Sequence, residues 1–208
     1  MKVAVLGSGS WATALAKIVL NNVDEINWYI RKQETIEEFI ENRRNPKHLE
    51  WAYFDTSKIY FSADINEVLD LSNTIILAIP SPYLKQALDE INIDISGKRV
   101  ISAVKGMIPD ENMLVTDYLH ERFGIPHEHL GVIAGPCHAE EIALERLSYL
   151  TIGCTNMEQA EAWRELLRTK FVHVAASNDV IGLEYSSVMK NIYAIAAGMC
   201  SSLRYGDN

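Results

Sequence analysis

Positive charge, cysteine and long apolar runs are all scarce in this chain of 208 residues. It carries 19 Lys and Arg against 28 Asp and Glu, which gives a formal net charge of -9. Nucleic acids and anionic membranes are bound through basic surfaces, so this balance disfavours both as partners. No apolar run reaches the roughly 20 residues of a membrane span. The first apolar run stops at Gly7, and this run is too short for a secretory signal. We therefore expect neither a secretory signal nor an integral membrane segment.

The cysteines are few and isolated. Cys137, Cys154 and Cys200 lie far apart and form none of the CxxC or Cys/His spacings typical of metal sites. The histidines form no HxxxH or HExxH pattern either. The sequence therefore predicts no metal and favours a reducing, cytoplasmic location. A hydrophobic content of 48% with 23% charged residues is that of an ordinary globular protein.

The stretch from Val3 to Leu20 carries the first functional pattern. A short apolar run ends at Gly7-Ser8-Gly9, and apolar residues at helical spacing follow from Ala12. This is the GxGxxA form of the dinucleotide-binding loop: Gly7 allows the tight turn, Gly9 allows close approach of a diphosphate, and Ala12 lets the helix lie against the strand. The helix N-terminus offers free N–H groups to the diphosphate. A tight turn in any α/β domain can have the same sequence pattern, so other sequence features have to support the interpretation.

Arg31 and Lys32 end the second predicted strand, where an NAD-binding unit usually carries an acidic residue for the ribose 2′-hydroxyl. A cation at this place suits the 2′-phosphate of NADP. The alternative is that Arg31 ends a strand in solvent and binds nothing. The expected cofactor is accordingly NADP or NAD.

Alternating strand and helix patterns continue along the chain and predict an α/β fold, a Rossmann-type doubly wound, mostly parallel sheet. The predicted strands are residues 3–6, 26–30, 58–62, 74–79, 99–104, 131–134, 149–153 and 172–175. One predicted helix spans about Asp110 to Phe123, and a long one spans Leu183 to Leu203. We expect residues 1–179 to form a dinucleotide-binding domain and residues 180–208 to open an incomplete helical substrate domain.

Ligands of such sheets bind beyond the carboxyl ends of the strands. The residues predicted to lie there, apart from the glycine loop and Arg31, are Pro80-Ser81, Lys105-Gly106, Gly135 to Ala139 and Ser177-Asn178. The segment Ala134-Gly135-Pro136 is typical of a close backbone approach to a ligand. Cys137, His138 and Glu140 are adjacent residues at a turn and point in different directions, so we reject a nucleophile and base triad.

Two lysines have unusual surroundings. Lys105 directly follows a buried strand and precedes Gly106, which predicts an ammonium beside the cofactor. Lys190 lies in SSVMKNIYAIAAG, an otherwise apolar or small-residue helix. It either extends to water or is held in a cleft, where desolvation would lower its pKa and suit it to protonate a carbonyl reduced by hydride.

The combination GSGSWATALA, KGM, AGPCHAEE and MKNIYAIAAG followed by GDN resembles the NAD(P)-dependent glycerol-3-phosphate dehydrogenases over the whole chain. The resemblance implies hydride transfer between NAD(P)H and dihydroxyacetone phosphate, giving sn-glycerol 3-phosphate for phospholipid synthesis. It implies that Lys190 is the general acid and that Lys105 contacts substrate and nicotinamide. Further implied contacts are Ser10, Trp11, Arg31 and Ala139 for the cofactor, joined by Lys32, and Gly135, Cys137 and Asn191 for the substrate.

The chain departs from that family at two places. Cys137 and His138 replace the usual Ser/Thr-Phe, and a thiol is a weaker donor than a hydroxyl. The family also continues beyond Gly206-Asp207-Asn208 into a helical domain with an Arg-Asn pair, so we expect an N-terminal portion with poor turnover on its own. Left open are another lysine-dependent dehydrogenase, of the 3-hydroxyacid or 6-phosphogluconate type, a non-catalytic NADPH-responsive module, and a homo-oligomer.

Overall fold

The computed structural model describes residues 1–109 and 111–205. Its centre is a sheet of eight strands in the order β3-β2-β1-β4-β5-β6-β7-β8. The strands are β1 Val3–Leu6, β2 Ile26–Tyr29, β3 Ile59–Ser62, β4 Thr74–Leu77, β5 Arg99–Ser102, β6 Leu130–Ala134, β7 Ser148–Cys154 and β8 Val172–Ser177. All neighbours are parallel except β6 and β7. The predicted eight strands and the mostly parallel, Rossmann-type sheet are confirmed.

Helices connect the strands and cover both faces of the sheet. They are α1 Ser10–Val19, α2 Gln33–Asn42, α3 Ile65–Asp70, α4 Ser81–Asp89, α5 Val115–Phe123, α6 Ala139–Ala143, α7 Met157–Leu167 and α8 Val180–Ser202. Single turns of 3-10 helix occupy Thr56–Lys58 and His127–His129. Two separate apolar clusters lie on the two faces, one built on Val3 and Val5 of β1 and the other on Ala4 and Leu6. This alternation along one strand is what a sheet buried on both sides requires.

Helix α5 begins five residues later than predicted. Asp110, the predicted start, lies outside the described residues, and Ile108 forms an isolated bridge with Met113. Asn112 adopts a left-handed conformation with φ of 53°. Such a conformation is incompatible with an α-helix, so the helix can begin only beyond this turn.

Strand β7 reverses direction, which the periodicity of the sequence did not show. The connection from β6 contains only α6, whose five residues span about 8 Å at 1.5 Å per residue. That is shorter than a strand of five residues, about 17 Å, so the chain enters β7 at the edge where β6 ended. Because β8 is parallel to β7, its last residue Ser177 pairs with Gly153, opposite the amino-terminal half of β6. The prediction that Ser177-Asn178 lies at the ligand-binding edge is therefore wrong.

Helix α8 starts at the opposite edge and runs back across the sheet. Its first residues pack on the end of β7, where a Cβ on Gly153 would lie 2.7 Å from Leu183 Cδ1 and 3.4 Å from Val180 Cα. Ten residues of helix cover about 15 Å, so Lys190 is carried to the edge where β1 and β5 end. The division at residue 179 stays a prediction. None of the helices in the part of the chain that the structure describes is long and apolar enough to cross a membrane.

Candidate dinucleotide-binding and reduction site

The glycine loop is held rigidly at the carboxyl end of β1. Gly7 has φ of +118°, a conformation open to glycine and strained for other residues, and a Cβ there would lie 2.7 Å from Ala78 O. Trp28 Nε1 donates to Gly7 O at 2.7 Å, and Gly7 N donates to Tyr29 O at 3.1 Å. Both bonds come from the neighbouring strand β2. The loop is therefore preformed, because its backbone groups are satisfied by the sheet itself.

The N-terminus of α1 is open to an anion. Gly9 is the N-cap and makes no side-chain cap, so the first N–H groups of the helix keep their donor capacity. A Cβ on Gly9 would meet no atom within 4 Å, so the space beside it is open. Ser10 begins the helix, and its hydroxyl lies 3.3 Å from His48 Nδ1. Ala12 is fully buried beneath the loop, where it lets the helix pack closely. These features fit a diphosphate.

A buried asparagine that the sequence interpretation overlooked fastens a second loop to the first. Asn45 is fully buried and donates to Ser8 O at 2.9 Å and to Thr13 Oγ1 at 2.8 Å. Its side-chain oxygen accepts from Lys47 N at 3.0 Å and from His48 N at 3.2 Å. The contact brings the side chains of residues 47 and 48 to the glycine loop.

Two clefts adjoin the loop, and Arg31 lines both. One, of about 230 Å³, is lined by Gly7, Ser8, Gly9, Tyr29, Arg31, His48, Ile79, Pro80, Tyr83, Gln86, Ala87 and Glu90. The other, of about 250 Å³, is lined by Ser8, Ile30, Arg31, Lys32, Thr35, Asn45, Lys47 and His48. The second cleft gathers three permanent cations from a chain that is acidic overall. Such a cluster suits a phosphate group.

Tyr29 and Glu90 form the acidic end of the first cleft. Tyr29 Oη donates to Glu90 Oε2 at 3.5 Å. Burial, with a contribution from the Glu90 carboxylate, raises the pKa of Tyr29 to about 12. The phenol is therefore protonated, and it remains a donor at neutral pH.

Lys105 lies at the same edge, after β5, as predicted. Its Nζ is 4.9 Å from the centre of the Trp11 ring, and Trp11 belongs to the first turn of α1. The following Gly106 is close to α4, since a Cβ there would lie 2.6 Å from Ser81 Oγ. The Lys105 side chain is solvent-accessible, yet crowding of its ammonium by protein lowers its pKa, and the charge of Lys190 lowers it further.

Lys190 therefore lies near Lys105, although the two residues are 85 positions apart in the sequence. Helix α8 carries Lys190, which is partly buried, whereas the adjacent Asn191 is exposed. Residues next to each other on a helix point about 100° apart, so Asn191 faces a different direction. The structure thus places Lys105 against Trp11 beside the glycine loop, with Lys190 within electrostatic range of Lys105.

The segment after β6 is organised differently from the prediction. Gly135 has φ of +150°, and a Cβ there would lie 2.6 Å from Tyr149 O. The backbone of Gly135 therefore approaches strand β7 closely, and the approach of this segment to a ligand stays a prediction. Cys137 is buried, and its Sγ donates to the same Tyr149 O at 2.9 Å. Its thiol lies within electrostatic range of Lys105 but has a protein partner, and burial raises the pKa of Cys137. Ala139 is buried at the start of α6.

Residues 1–109 and 111–205 contain no group of three or more His, Cys, Asp or Glu side chains that could hold a metal ion. The chemistry available at this edge is thus that of two ammonium groups, a row of free helix N–H groups and a cationic cleft.

Comparison with known proteins agrees with this geometry. The sequence profile described as NAD-dependent glycerol-3-phosphate dehydrogenase N-terminus matches residues 2–160, and the corresponding C-terminus profile matches residues 179–208. The chain belongs to this family.

Individual relatives support the assignment. A glycerol-3-phosphate dehydrogenase [NAD(P)+] from Oceanobacillus iheyensis is 32% identical and covers 100% of this chain, which spans 60% of that protein. The Exiguobacterium enzyme of the same name is 33% identical, with coverages of 99% and 61%. The Plasmodium falciparum glycerol-3-phosphate dehydrogenase structure superimposes with a TM-score of 0.88 at 26% identity, covering 98% of this chain and 60% of that one. The chain thus spans about three fifths of the length of these relatives.

Proposed function

We propose that this chain forms the cofactor-binding part and the proton-donating part of an NAD(P)-dependent glycerol-3-phosphate dehydrogenase. The observation that carries the proposal is that Lys105 lies against Trp11 at the sheet edge that also presents the open glycine loop, with Lys190 within electrostatic range of Lys105. A dinucleotide loop alone would fit many oxidoreductases. Two ammonium groups beside it suit reduction of a carbonyl on a negatively charged substrate.

The cofactor is proposed to lie along Gly7, Gly9 and Ser10. The uncapped N-terminus of α1 suits the diphosphate, and Arg31 and Lys32 suit a 2′-phosphate, with support from Lys47 in the same cleft. NADP is therefore favoured over NAD, although both are proposed to bind. When bound, the nicotinamide supplies the hydride.

In the proposed reaction the carbonyl carbon of dihydroxyacetone phosphate accepts the hydride and its oxygen becomes an alkoxide. Lys190 donates a proton to that oxygen and gives sn-glycerol 3-phosphate. Lys105 holds the substrate near the nicotinamide through its ammonium. Crowding of the Lys105 ammonium by protein lowers its pKa, and the charge of Lys190 lowers it further.

The proposed product is a precursor of membrane glycerophospholipids. Cys137, Cys154 and Cys200 are all free thiols, which supports a reducing compartment, and we propose the cytoplasm. We also propose that copies of the chain associate into an oligomer, and we assign no surface to this association.

The test is single-turnover oxidation of NADPH by the chain of 208 residues. The protein is present at a higher concentration than the cofactor. Excess protein removes the demand for repeated turnover, which suits a chain that spans about three fifths of its relatives. We expect oxidation with dihydroxyacetone phosphate, and none with a 3-oxoacid. In the reverse direction we expect NADP reduction with sn-glycerol 3-phosphate but none with 6-phosphogluconate.

The substrate panel separates the alternatives. Reaction with the 3-oxoacid or with 6-phosphogluconate alone would assign the chain to another lysine-dependent dehydrogenase. Saturable NADPH binding without oxidation by any substrate would contradict the enzymatic proposal and favour a cofactor-responsive binding module.

A further inference from the structure

The helix that carries Lys190 is anchored to the rest of the molecule through few side chains. Of the residues of α8, all of which the structure describes, only Val180 and Glu184 are buried, at 8% and 2% exposure. Every residue of the helix from Asn191 onward is exposed. The direction and rotation of α8 therefore depend on contacts made in its first two turns.

Glu184 makes a polar contact that is rare for a buried carboxylate. It accepts from Val115 N at 2.7 Å and from Thr116 N at 3.2 Å, through one carboxylate oxygen. The other oxygen accepts from Thr116 Oγ1 at 2.6 Å. These donors are the first residues of α5. The acid of one helix therefore caps the N-terminus of another.

The cap is supplied from a distance because the local sequence does not provide one. The N-cap position of α5 is Leu114, which makes no side-chain hydrogen bond. Without Glu184, the N–H groups of Val115 and Thr116 would be buried and unpaired, since both residues are almost inaccessible to solvent. The positive end of the α5 dipole also favours a carboxyl group at this place.

The same contact sets the position of Lys190. Lys190 follows Glu184 by six residues on one continuous helix, about 9 Å along its axis. A helix is stiff over two turns, so a shift or rotation at Glu184 is transmitted to Lys190 and changes its distance from Lys105. We propose that Glu184 is the positioning residue for Lys190, fastening α8 to the N-terminus of α5 so that Lys190 is held at the sheet edge where Lys105 lies.

The contact between Glu184 and the N-terminus of α5 forms a joint between helices α8 and α5. The role of this joint in catalysis rests on the proposed function, but its geometry does not. The groups that act on the charge of Lys105 are Lys190, which lowers its pKa, and Cys137, which opposes the effect. Separation of α8 from α5 would move Lys190 away and leave Cys137 in place. The pKa of Lys105 therefore reports the position of Lys190 without any turnover.

The experiment measures the pKa of Lys105 by NMR titration of lysine side chains labelled with ¹³C, in the wild-type chain and in Glu184→Ala, Lys190→Met and the double variant. We expect Lys190→Met to raise the pKa of Lys105 and Glu184→Ala to raise it in the same direction. The double variant should give no further rise beyond Lys190→Met, because both changes remove the same charge.

Leu69→Ala is the matched control. Leu69 lies at 1% exposure on α3, which belongs to neither helix of the joint, so its truncation destabilises the fold without touching the joint. It should leave the pKa of Lys105 at the wild-type value. Where Glu184→Ala fails to fold, Glu184→Gln and Thr116→Val, which each weaken the joint, take its place with smaller expected rises.

A wild-type pKa of Lys105 in the Glu184 variants, together with a raised one in Lys190→Met, would overturn the proposal and leave Glu184 as a structural cap only. No change in Lys190→Met would also overturn it, because the two lysines would then not be neighbours. Absence of dihydroxyacetone phosphate reduction would refute the proposed function while leaving the pKa result unaffected, so the two failures are distinguishable.

Discussion

The two halves of the candidate site are built in opposite ways. The glycine loop is held by its own strand and by the adjacent strand β2, with Trp28 and Tyr29 bonded to Gly7 and Asn45 bonded to Ser8. Lys190 is carried on a helix whose buried anchors are Val180 and Glu184. The loop has a fixed shape before any ligand arrives, whereas the position of the lysine depends on contacts at the start of its helix, the Glu184 cap among them.

Because the two halves are held differently, cofactor binding and proton donation depend on different parts of the site. A preformed loop loses little conformational freedom when a cofactor binds, which favours affinity. A proton donor on a helix with a partly free face can be displaced without disturbing that loop. Substitutions in the two halves should therefore affect different measured quantities, and the four predictions below test that division.

The largest effect is expected for Lys190→Met. Loss of a positioned general acid typically costs about 10² to 10⁴-fold in rate, so single-turnover NADPH oxidation with dihydroxyacetone phosphate should fall by that range. NADPH affinity should stay within about twofold of wild type, because the loop is untouched. Lys2→Met, a change of an exposed lysine before β1, is the matched control and should leave both quantities unchanged. An equal loss of affinity and rate would break the division.

The second prediction compares Gly7→Ala with Gly9→Ala. The first places a Cβ 2.7 Å from Ala78 O at φ of +118°, so it should lower the free energy of unfolding by about 1–3 kcal/mol and weaken cofactor binding. The second adds a methyl group to open space at φ of -74°, so stability should be preserved while NADPH affinity falls. Chemical denaturation and isothermal titration give the two values. Unaltered NADPH affinity in Gly9→Ala would mean that the diphosphate binds elsewhere.

The third prediction concerns Arg31, which lines both clefts beside the glycine loop. Arg31→Gln removes one charged donor to a 2′-phosphate, worth about 1.5–3 kcal/mol, so NADPH affinity should fall by at least about tenfold. NADH affinity should change little, because NADH lacks that phosphate. Arg99→Gln, at an exposed position of β5 on the opposite edge, should alter neither. If the two cofactors lose affinity equally, the assignment of Arg31 to the 2′-phosphate is wrong.

The smallest effect is a pH dependence at the α8 joint. Burial raises the pKa of Glu184 above its ordinary value of 4.5, so the folded state favours the protonated carboxyl group. The stabilising contribution is complete below pH 4.5 and is lost as the pH rises through the raised pKa. The free energy of unfolding of wild type should therefore fall relative to Glu184→Gln over that interval. A pH-independent difference between the two curves would contradict the predicted shift.

Local features of this site could be predicted from the sequence. Gly7, Gly9 and Ala12 lie within one short strand-turn-helix unit, so their spacing alone indicates their structure. Lys105 was found because a parallel strand that ends in a polar residue presents that residue at the ligand edge. Both inferences need only the chain on either side of the residue.

The features that the sequence did not predict depend on contacts between distant segments. The reversal of β7 follows from how a short α6 connection docks on the sheet, and it moved Ser177 to the opposite edge. The bonds of Asn45 to Ser8 and of Glu184 to Thr116 join segments 37 and 68 residues apart. Single-sequence periodicity carries no record of such pairs. A Glu within the otherwise apolar start of a helix is the signal that could have indicated the bond of Glu184 to Thr116.

The central claim is that the glycine loop and Lys105 belong to one cofactor site, and the indole N–H groups test it directly. The chain has four tryptophans, so an NADPH titration of the ¹⁵N-labelled protein follows four indole resonances. The ring centre of Trp11 lies 4.9 Å from Lys105 Nζ, and Trp28 donates to Gly7 O. Trp163 is a buried residue of α7, and Trp51 is half-exposed on a loop. We predict a large saturable shift of Trp11, a smaller one of Trp28 with the same dissociation constant, and none of Trp163 or Trp51. A saturable shift of Trp51 or Trp163 with Trp11 unmoved would contradict the claim.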